Sequence, residues 1–191
     1  MEKKRLLIMI SGRGSNMEAL LKNTISGELG SCAEIIGVFS NKAEAPGLEI
    51  AKRLGFPVKV IASKGKKRKH YNAELKEWLV ELDPDYIILA GYMLIIPSNI
   101  VTSFPERIIN IHPADTTQHQ GLHGYEWAWK NKLPETMITI HYVDNGLDTG
   151  RIIAQERVNL MEANTLEEVE IRGLEAEHRV YGEVLAKICR K

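Results

Sequence analysis

Cysteine is scarce: Cys32 and Cys189 are the only two among 191 residues, and no Cys-x-x-Cys pair occurs. That excludes a disulfide framework and a thiolate zinc cluster. There is no surplus of one charge, since 25 Lys and Arg balance 25 Asp and Glu. General nucleic-acid binding draws on a cationic surplus and is not expected. No apolar run approaches the roughly 20 residues that span a bilayer. Met1 to Arg5 lead directly into a short apolar strand, without the long apolar stretch or the small-residue cleavage site of a signal peptide. What is present is the balance of a globular protein, 44% apolar and 26% charged, in a chain long enough to bury a core without a staple. The expectation is a cytoplasmic, reduced protein with one domain over 1–191. Its partners are small molecules, with no nucleic acid and no membrane, and it is a monomer or a homodimer.

Short β-rich runs alternate with helical patterns. Arg5–Ile10 is a continuous apolar run after its first residue, as a strand buried on both faces requires. A helical stretch over Met17–Lys22 follows, then a strand over Glu34–Ser40, a helix over Pro46–Leu54 and a strand over Pro57–Ile61. Leu75, Leu79 and Leu82 give helical spacing to His70–Leu82, which Pro84 stops. Tyr86–Ala90 and Arg107–His112 read as further strands. This order implies an α/β fold, a parallel sheet covered by helices on both faces. The pattern then changes. Thr136–Tyr142 and Arg151–Val158 are joined by only eight residues, Val143 to Gly150, too few for a crossover helix, so this pair is expected to be antiparallel. A helix from about Thr165 to Lys187 ends the pattern.

Three segments could carry chemistry. Gly12-Arg-Gly14-Ser15-Asn16 lies between the first strand and the first helix. Its glycines permit a tight turn, and the helix N-terminus offers free N–H groups to phosphate. It matches neither the full dinucleotide fingerprint nor a Walker loop, and it also reads as a plain turn with Ser15 or Asn16 as N-cap. Asn110-Ile-His112 closes a strand at the edge where open sheets collect ligands. Alternation puts Asn110 and His112 on one face, where both could donate to a developing oxyanion or serve as structural caps. Asp148, in the acid- and glycine-rich loop 143–150, could hold His112 charged or serve only in the turn. The basic run Lys64–Lys69 suits an anionic ligand tail or a solvated loop. His112, His119 and His123 lack a metal-site pattern, so no metal is expected. Trp127 and Trp129 lie two apart on a helix, one expected in the core and the other lining a pocket. The absence of a Gly-x-Ser-x-Gly elbow disfavours a serine hydrolase.

Taken in order, Ile10-Ser-Gly-Arg-Gly-Ser-Asn16, Leu89-Ala-Gly-Tyr-Met93, Ile109-Asn-Ile-His-Pro113, Gly121-Leu-His123 and Leu147-Asp-Thr-Gly150 resemble the folate-dependent formyltransferase family over nearly the whole chain. The resemblance implies a Rossmann-like, open, mostly parallel sheet. It implies 10-formyltetrahydrofolate as co-substrate and direct formyl transfer to the primary amine of glycinamide ribonucleotide, a step of purine synthesis. Asn110, His112 and Asp148 match the family's catalytic trio. Gly14, Ser15 and Asn16 match its phosphate site, and Glu177 stands where the family places a carboxylate on ribose hydroxyls. Met93, Leu94, Ile95 and Ile96 match the pterin-pocket segment, where the family often has Arg in place of Leu94. Arg68 falls near the arginine that meets the glutamate tail of the folate.

One departure concerns the acceptor. Where the family usually continues Ser-Leu-Leu-Pro, this chain has the polar segment Ala114-Asp-Thr-Thr-Gln-His-Gln120. The alternatives are a formyltransferase for another phosphorylated amine, a formyltetrahydrofolate hydrolase, and a non-catalytic folate- or phosphate-binding protein. Methionyl-tRNA formylation is less favoured, because the chain shows no C-terminal extension and no positive charge surplus.

Overall fold

Alternation along the first strand decides the layers. In β1 (Lys4–Ile10), Leu6, Ile8 and Ile10 face one way and Leu7 and Met9 the other, and none is more than 1% exposed. A strand apolar on both faces needs cover on both. The computed structural model describes residues 2–191 and supplies that cover. After β1 the elements are α1 (Ser15–Ser26), a 3-10 turn (Glu28–Ser31), β2 (Ala33–Ser40), α2 (Pro46–Arg53), β3 (Val58–Val60), α3 (Arg68–Leu82) and β4 (Tyr86–Leu89). They continue with α4 (Ser98–Val101), β5 (Ile108–His112), α5 (Gly124–Lys130), β6 (Glu135–Tyr142), β7 (Ile152–Asn159) and α6 (Leu166–Cys189).

One sheet takes the order β3-β2-β1-β4-β5-β6-β7. β1 to β5 are parallel, whereas β6 runs antiparallel to both β5 and β7, as the short 143–150 connection requires. Leu6, Ile8 and Ile10 pack with Met17, Leu20 and Leu21 of α1 and with Tyr181, Val184 and Leu185 of α6. On the other face Leu7 and Met9 pack with Tyr71, Leu75 and Leu79 of α3 and with Ile100 of α4.

Pro84 ends α3 as expected, with Asp83 in the left-handed conformation before it (φ 41°). α6 begins on a reciprocal cap. Thr165 Oγ1 accepts from the Glu168 N–H at 3.1 Å, and the Glu168 carboxylate accepts from the Asn164 N–H at 2.6 Å. α1 extends to Ser26, four residues beyond the expected end at Lys22. The turn Glu28–Ser31 and the single-turn α4 had no periodic pattern to announce them, being shorter than one apolar repeat. Among the described residues, no helix is long and apolar enough to cross a membrane.

Candidate active site

Strand order reverses between β1 and β4, so the connections leaving them diverge and open a crevice at their C-terminal ends. The turn after β1 forms one wall. Gly14, at φ 74°, is the N-cap of α1, and no side chain caps this helix. Neither Ser15 nor Asn16 is therefore the cap, and both stand in the first turn with the backbone N–H groups that a helix leaves unpaired. A Cβ on Gly14 would meet Met17 Cε at 3.0 Å and the Gly47 backbone at 3.4 Å, so this position needs glycine for both conformation and space. Buried Ser11 ties the turn to the loop after β4. Its N–H donates to Gly91 O (3.0 Å), its Oγ accepts from the Met93 N–H (2.9 Å), and its hydroxyl donates to Asn41 Oδ1 (2.6 Å). Sequence reasoning passed over Ser11, whose only signal was its place between the strand and the glycines.

The second wall is the end of β5. Asn110, His112 and Asp148 converge there. His112 Nδ1 lies 3.4 Å from Asp148 Oδ2, and Asn110 Nδ2 lies 3.3 Å from Asp148 Oδ1. Loop 143–151 folds back to bring Asp148 in, with Asp148 itself left-handed at φ 53°. Gly150 makes the return possible, since a Cβ there would lie 1.7 Å from Tyr142 O. The Gly121 N–H donates to Asp148 Oδ2 at 2.8 Å. His141 completes the cluster and was not anticipated. It pairs across the ladder with Asn110, is 2% exposed, and presents Nε2 to Asn110 Nδ2 at 3.3 Å and to Asp148 Oδ1 at 3.5 Å. The available signal was a histidine inside the apolar run of β6, seven residues before Asp148.

Charge is distributed differently from the expectation that Asp148 keeps His112 protonated. Burial pushes the His112 ring down and outweighs the upward pull of Asp148 and of the His119 carbonyl, so its pKa lies below the ordinary histidine value. For Asp148, burial pushes up, but the hydrogen bonds from His141 and Gly121 and the nearby His112 outweigh it and hold the carboxyl below its usual range. Asp148 is thus the ionised member and His112 the neutral one in this arrangement. The His112 Nε2–H donates to His119 O at 3.1 Å, and Asn110 Nδ2 donates to Asp148 Oδ1 at 3.3 Å. The donors are satisfied internally and must exchange partners to reach a ligand.

The polar segment 114–120 is pinned rather than loose. Thr139 Oγ1 donates to Ala114 O at 2.7 Å, and Asp115 accepts from the Thr117 N–H (2.9 Å), the Thr117 hydroxyl (2.7 Å) and Gln118 Nε2 (3.1 Å). The His119 ring stacks on Trp127, centroids 5.0 Å apart. Trp127 is half-buried, while Trp129 is 36% exposed and lines a cavity of about 500 Å³ with Leu133, Leu160 and Met161, outside the crevice. Among the described residues, no group of three or more His, Cys, Asp or Glu is arranged to hold a metal ion.

Glu177 lies on α6 beneath the phosphate-suited turn, 5% exposed, and accepts from Asn16 Nδ2 and from the Tyr125 hydroxyl. Met93 and Ile95 are 58% and 64% exposed on the loop after β4, while Leu94 is half-buried and Ile96 buried. Arg68, at the start of α3, reaches this loop and donates to Ile95 O at 2.8 Å. The predicted residues therefore form three neighbouring groups along one sheet edge.

The doubly covered, mostly parallel sheet carries a glycine-capped helix N-terminus and an Asn–His–Asp cluster on the same edge, and the chain belongs to the formyl transferase family, whose pattern matches residues 4–185. It is 33% identical to phosphoribosylglycinamide formyltransferase of Escherichia coli over 95% of this chain and 85% of that one. The solved phosphoribosylglycinamide formyltransferase of Brucella melitensis superposes with a TM-score of 0.91 at 36% identity, covering 100% of this chain and 97% of that one. The trifunctional purine biosynthetic protein adenosine-3 of Chironomus tentans is 36% identical over 98% of this chain, which spans only 14% of that protein's length.

Proposed function

We propose that residues 1–191 form one formyltransferase domain that moves the formyl group of 10-formyltetrahydrofolate to the primary amine of glycinamide ribonucleotide, in purine synthesis. The observation that carries this reading is the placement of two groups on one edge. Asn110, His112 and Asp148 lie two strands away from the Gly14–Asn16 turn, about 10 Å at ordinary strand spacing. Phosphate on the free N–H groups of Ser15 and Asn16 leaves a ribose and a short amide arm to lead to the cluster. The exposed apolar side chains of Met93 and Ile95, with Leu94 and Ile96 behind them, offer a surface to the pterin, and Arg68 offers a cation to the folate tail. Names of relatives on both sides of the comparison agree with this assignment.

The neutral amine attacks the formyl carbon, and negative charge develops on the formyl oxygen. Asn110 and the His112 Nε2–H turn from their present acceptors to that oxygen, each such donor lowering the barrier by about 3 kcal/mol. The growing anion and ionised Asp148 together raise the proton affinity of His112 as the reaction proceeds. A proton passes from the attacking amine to the leaving folate nitrogen, by way of Asp148 and water. Holding the amine against the formyl carbon supplies much of the remaining acceleration. The free thiols Cys32 and Cys189 suit a reducing cytoplasm, where the chain works as a monomer or homodimer on small molecules.

The test is an assay following tetrahydrofolate release from 10-formyltetrahydrofolate with glycinamide ribonucleotide as acceptor. Turnover that requires the acceptor supports the reading, and equal release of formate without any amine replaces it with hydrolysis. The polar 114–120 segment favours one second reading, transfer to a different phosphorylated amine. Turnover with such an amine at higher kcat/KM than with glycinamide ribonucleotide would establish it.

A further inference from the structure

A second concavity lies at the far end of α5 and takes no part in formyl transfer. It holds about 500 Å³, within the ~300–1,000 Å³ of small-molecule sites. Two connections frame it, residues 130–134 between α5 and β6 and residues 160–163 between β7 and α6. Its floor is the hydrophobic core itself. None of Ala128, Leu160 and Val169 is more than 5% exposed, and Leu133 packs against that cluster. At the mouth stand Trp129 and Met161, which keep much of their surface exposed. The walls are built before any ligand arrives. The Leu160 N–H donates to Pro134 O at 2.9 Å and ties the two connections together. Arg172 Nη1 donates to Asn159 O (3.2 Å) and to Met161 O (2.7 Å), which straps the second connection to α6. Each connection turns on a non-glycine residue in the left-handed region, Lys132 at φ 51° and Glu162 at φ 66°, a conformation that the surrounding contacts must hold. A hollow formed in this way needs little ordering when it binds.

Charge selects the ligand. The lining includes Lys130 and Lys132 and no acidic residue. Among the described residues neither lysine forms an ion pair with a carboxylate. Glu126, one turn before Lys130 on α5, is engaged by His123 Nδ1 at 2.7 Å instead. The carbonyls that end α5 would repel an anion if free, but they are taken. The Leu133 N–H donates to Ala128 O at 3.1 Å and the Lys132 N–H to Trp129 O at 3.0 Å. An indole and a thioether at the mouth favour a flat aromatic ring over an aliphatic chain.

We propose that this cavity is a binding site for a small aromatic carboxylate, its ring held by Trp129, Met161 and Leu133 and its anionic group by Lys130 and Lys132. The seven residues of α5, about 10 Å of helix, separate it from the segment that carries His119. Its occupancy does not depend on what the crevice binds, so the site stands apart from the transferase reading.

The test is calorimetric titration of the whole protein with indole-3-acetate and with its uncharged counterpart indole-3-acetamide. Wild-type protein is expected to bind the acid with a Kd of about 1 mM or tighter, the scale for a ligand of that size. The acid should lead the amide by about fivefold, the scale of two exposed ion pairs. Lys130→Glu combined with Lys132→Glu, both on exposed side chains, should remove that lead. Ala163→Phe adds a ring to the cavity wall and should weaken both compounds by about tenfold or more, through lost apolar burial. Absence of saturable binding of the acid up to about 10 mM overturns the proposal, as does equal binding of acid and amide by the wild-type protein. A well-folded Ala163→Phe that binds like wild type, or displacement of the acid by tetrahydrofolate, places the compound elsewhere and also overturns it. Should Ala163→Phe fail to fold, the lysine variant decides alone: loss of the preference for the acid supports the site, and retention overturns it.

Discussion

Replacing Asp148 by asparagine isolates the charge at the centre of the site. The substitution keeps the shape of the loop, because asparagine tolerates the left-handed backbone found at Asp148 (φ 53°) and its amide oxygen can still accept from the Gly121 N–H. What disappears is a negative charge 3.4 Å from His112 Nδ1, between side chains that are 5% and 11% exposed. At an effective dielectric of about 20, a unit charge at that distance stabilises an imidazolium by about 5 kcal/mol. Burial outweighs this attraction in the resting protein, where His112 is held below its ordinary pKa. The attraction becomes decisive only when the formyl oxygen turns anionic. Allowing for partial compensation by water, a loss of about 3–4 kcal/mol in the transition state is expected, or about 10²–10³ in kcat. Steady-state assay of tetrahydrofolate release should show this with both KM values within about threefold of wild type. A variant with normal thermal unfolding and a kcat within threefold of wild type would refute the charge argument.

Four further outcomes follow from the same geometry. Asn110→Ala removes an oxyanion donor and should lower kcat by about 10²–10³ without a comparable change in KM, measured in the same assay. Gly150→Ala places a Cβ at 1.7 Å from Tyr142 O and should displace the Asp148 loop, seen as a fall in Tm with loss of turnover. Arg68→Ala should raise KM for the formyl donor severalfold and leave KM for the amine unchanged; an unchanged donor KM removes Arg68 from the folate site. Glu177→Gln should stabilise the fold increasingly as pH rises. Burial raises the Glu177 pKa above its ordinary value despite the bonds from Tyr125 and Asn16, so above about pH 4.3 the unfolded chain loses a proton that the folded chain retains, and wild-type stability is lost as pH rises through that window. Thermal unfolding at about pH 4 and pH 8 should show the variant's advantage only at the higher pH.

Much of this was legible before folding, for reasons that lie in single segments. The two-sided apolar pattern of Arg5–Ile10 demanded cover on both faces and therefore a doubly layered sheet. The eight residues of 143–150 could only return antiparallel, and they do. Strand alternation put Asn110 and His112 on one face, where the structure places them. These features are local, set by periodicity and connection length.

Other features belong to the tertiary structure because they depend on distances between segments remote in sequence. The ionisation of His112 is one: proximity to Asp148 argued for charge, and only the depth of burial in the fold reversed the balance. His141 joined the cluster through the β5–β6 register, which no motif encodes. Glu177 met Tyr125 across 52 residues and Asn16 across 161, contacts that no local pattern announces. A sequence fixes which groups can donate, accept or ionise; which of them meet, and how much water they keep, is decided when the helices close over the sheet.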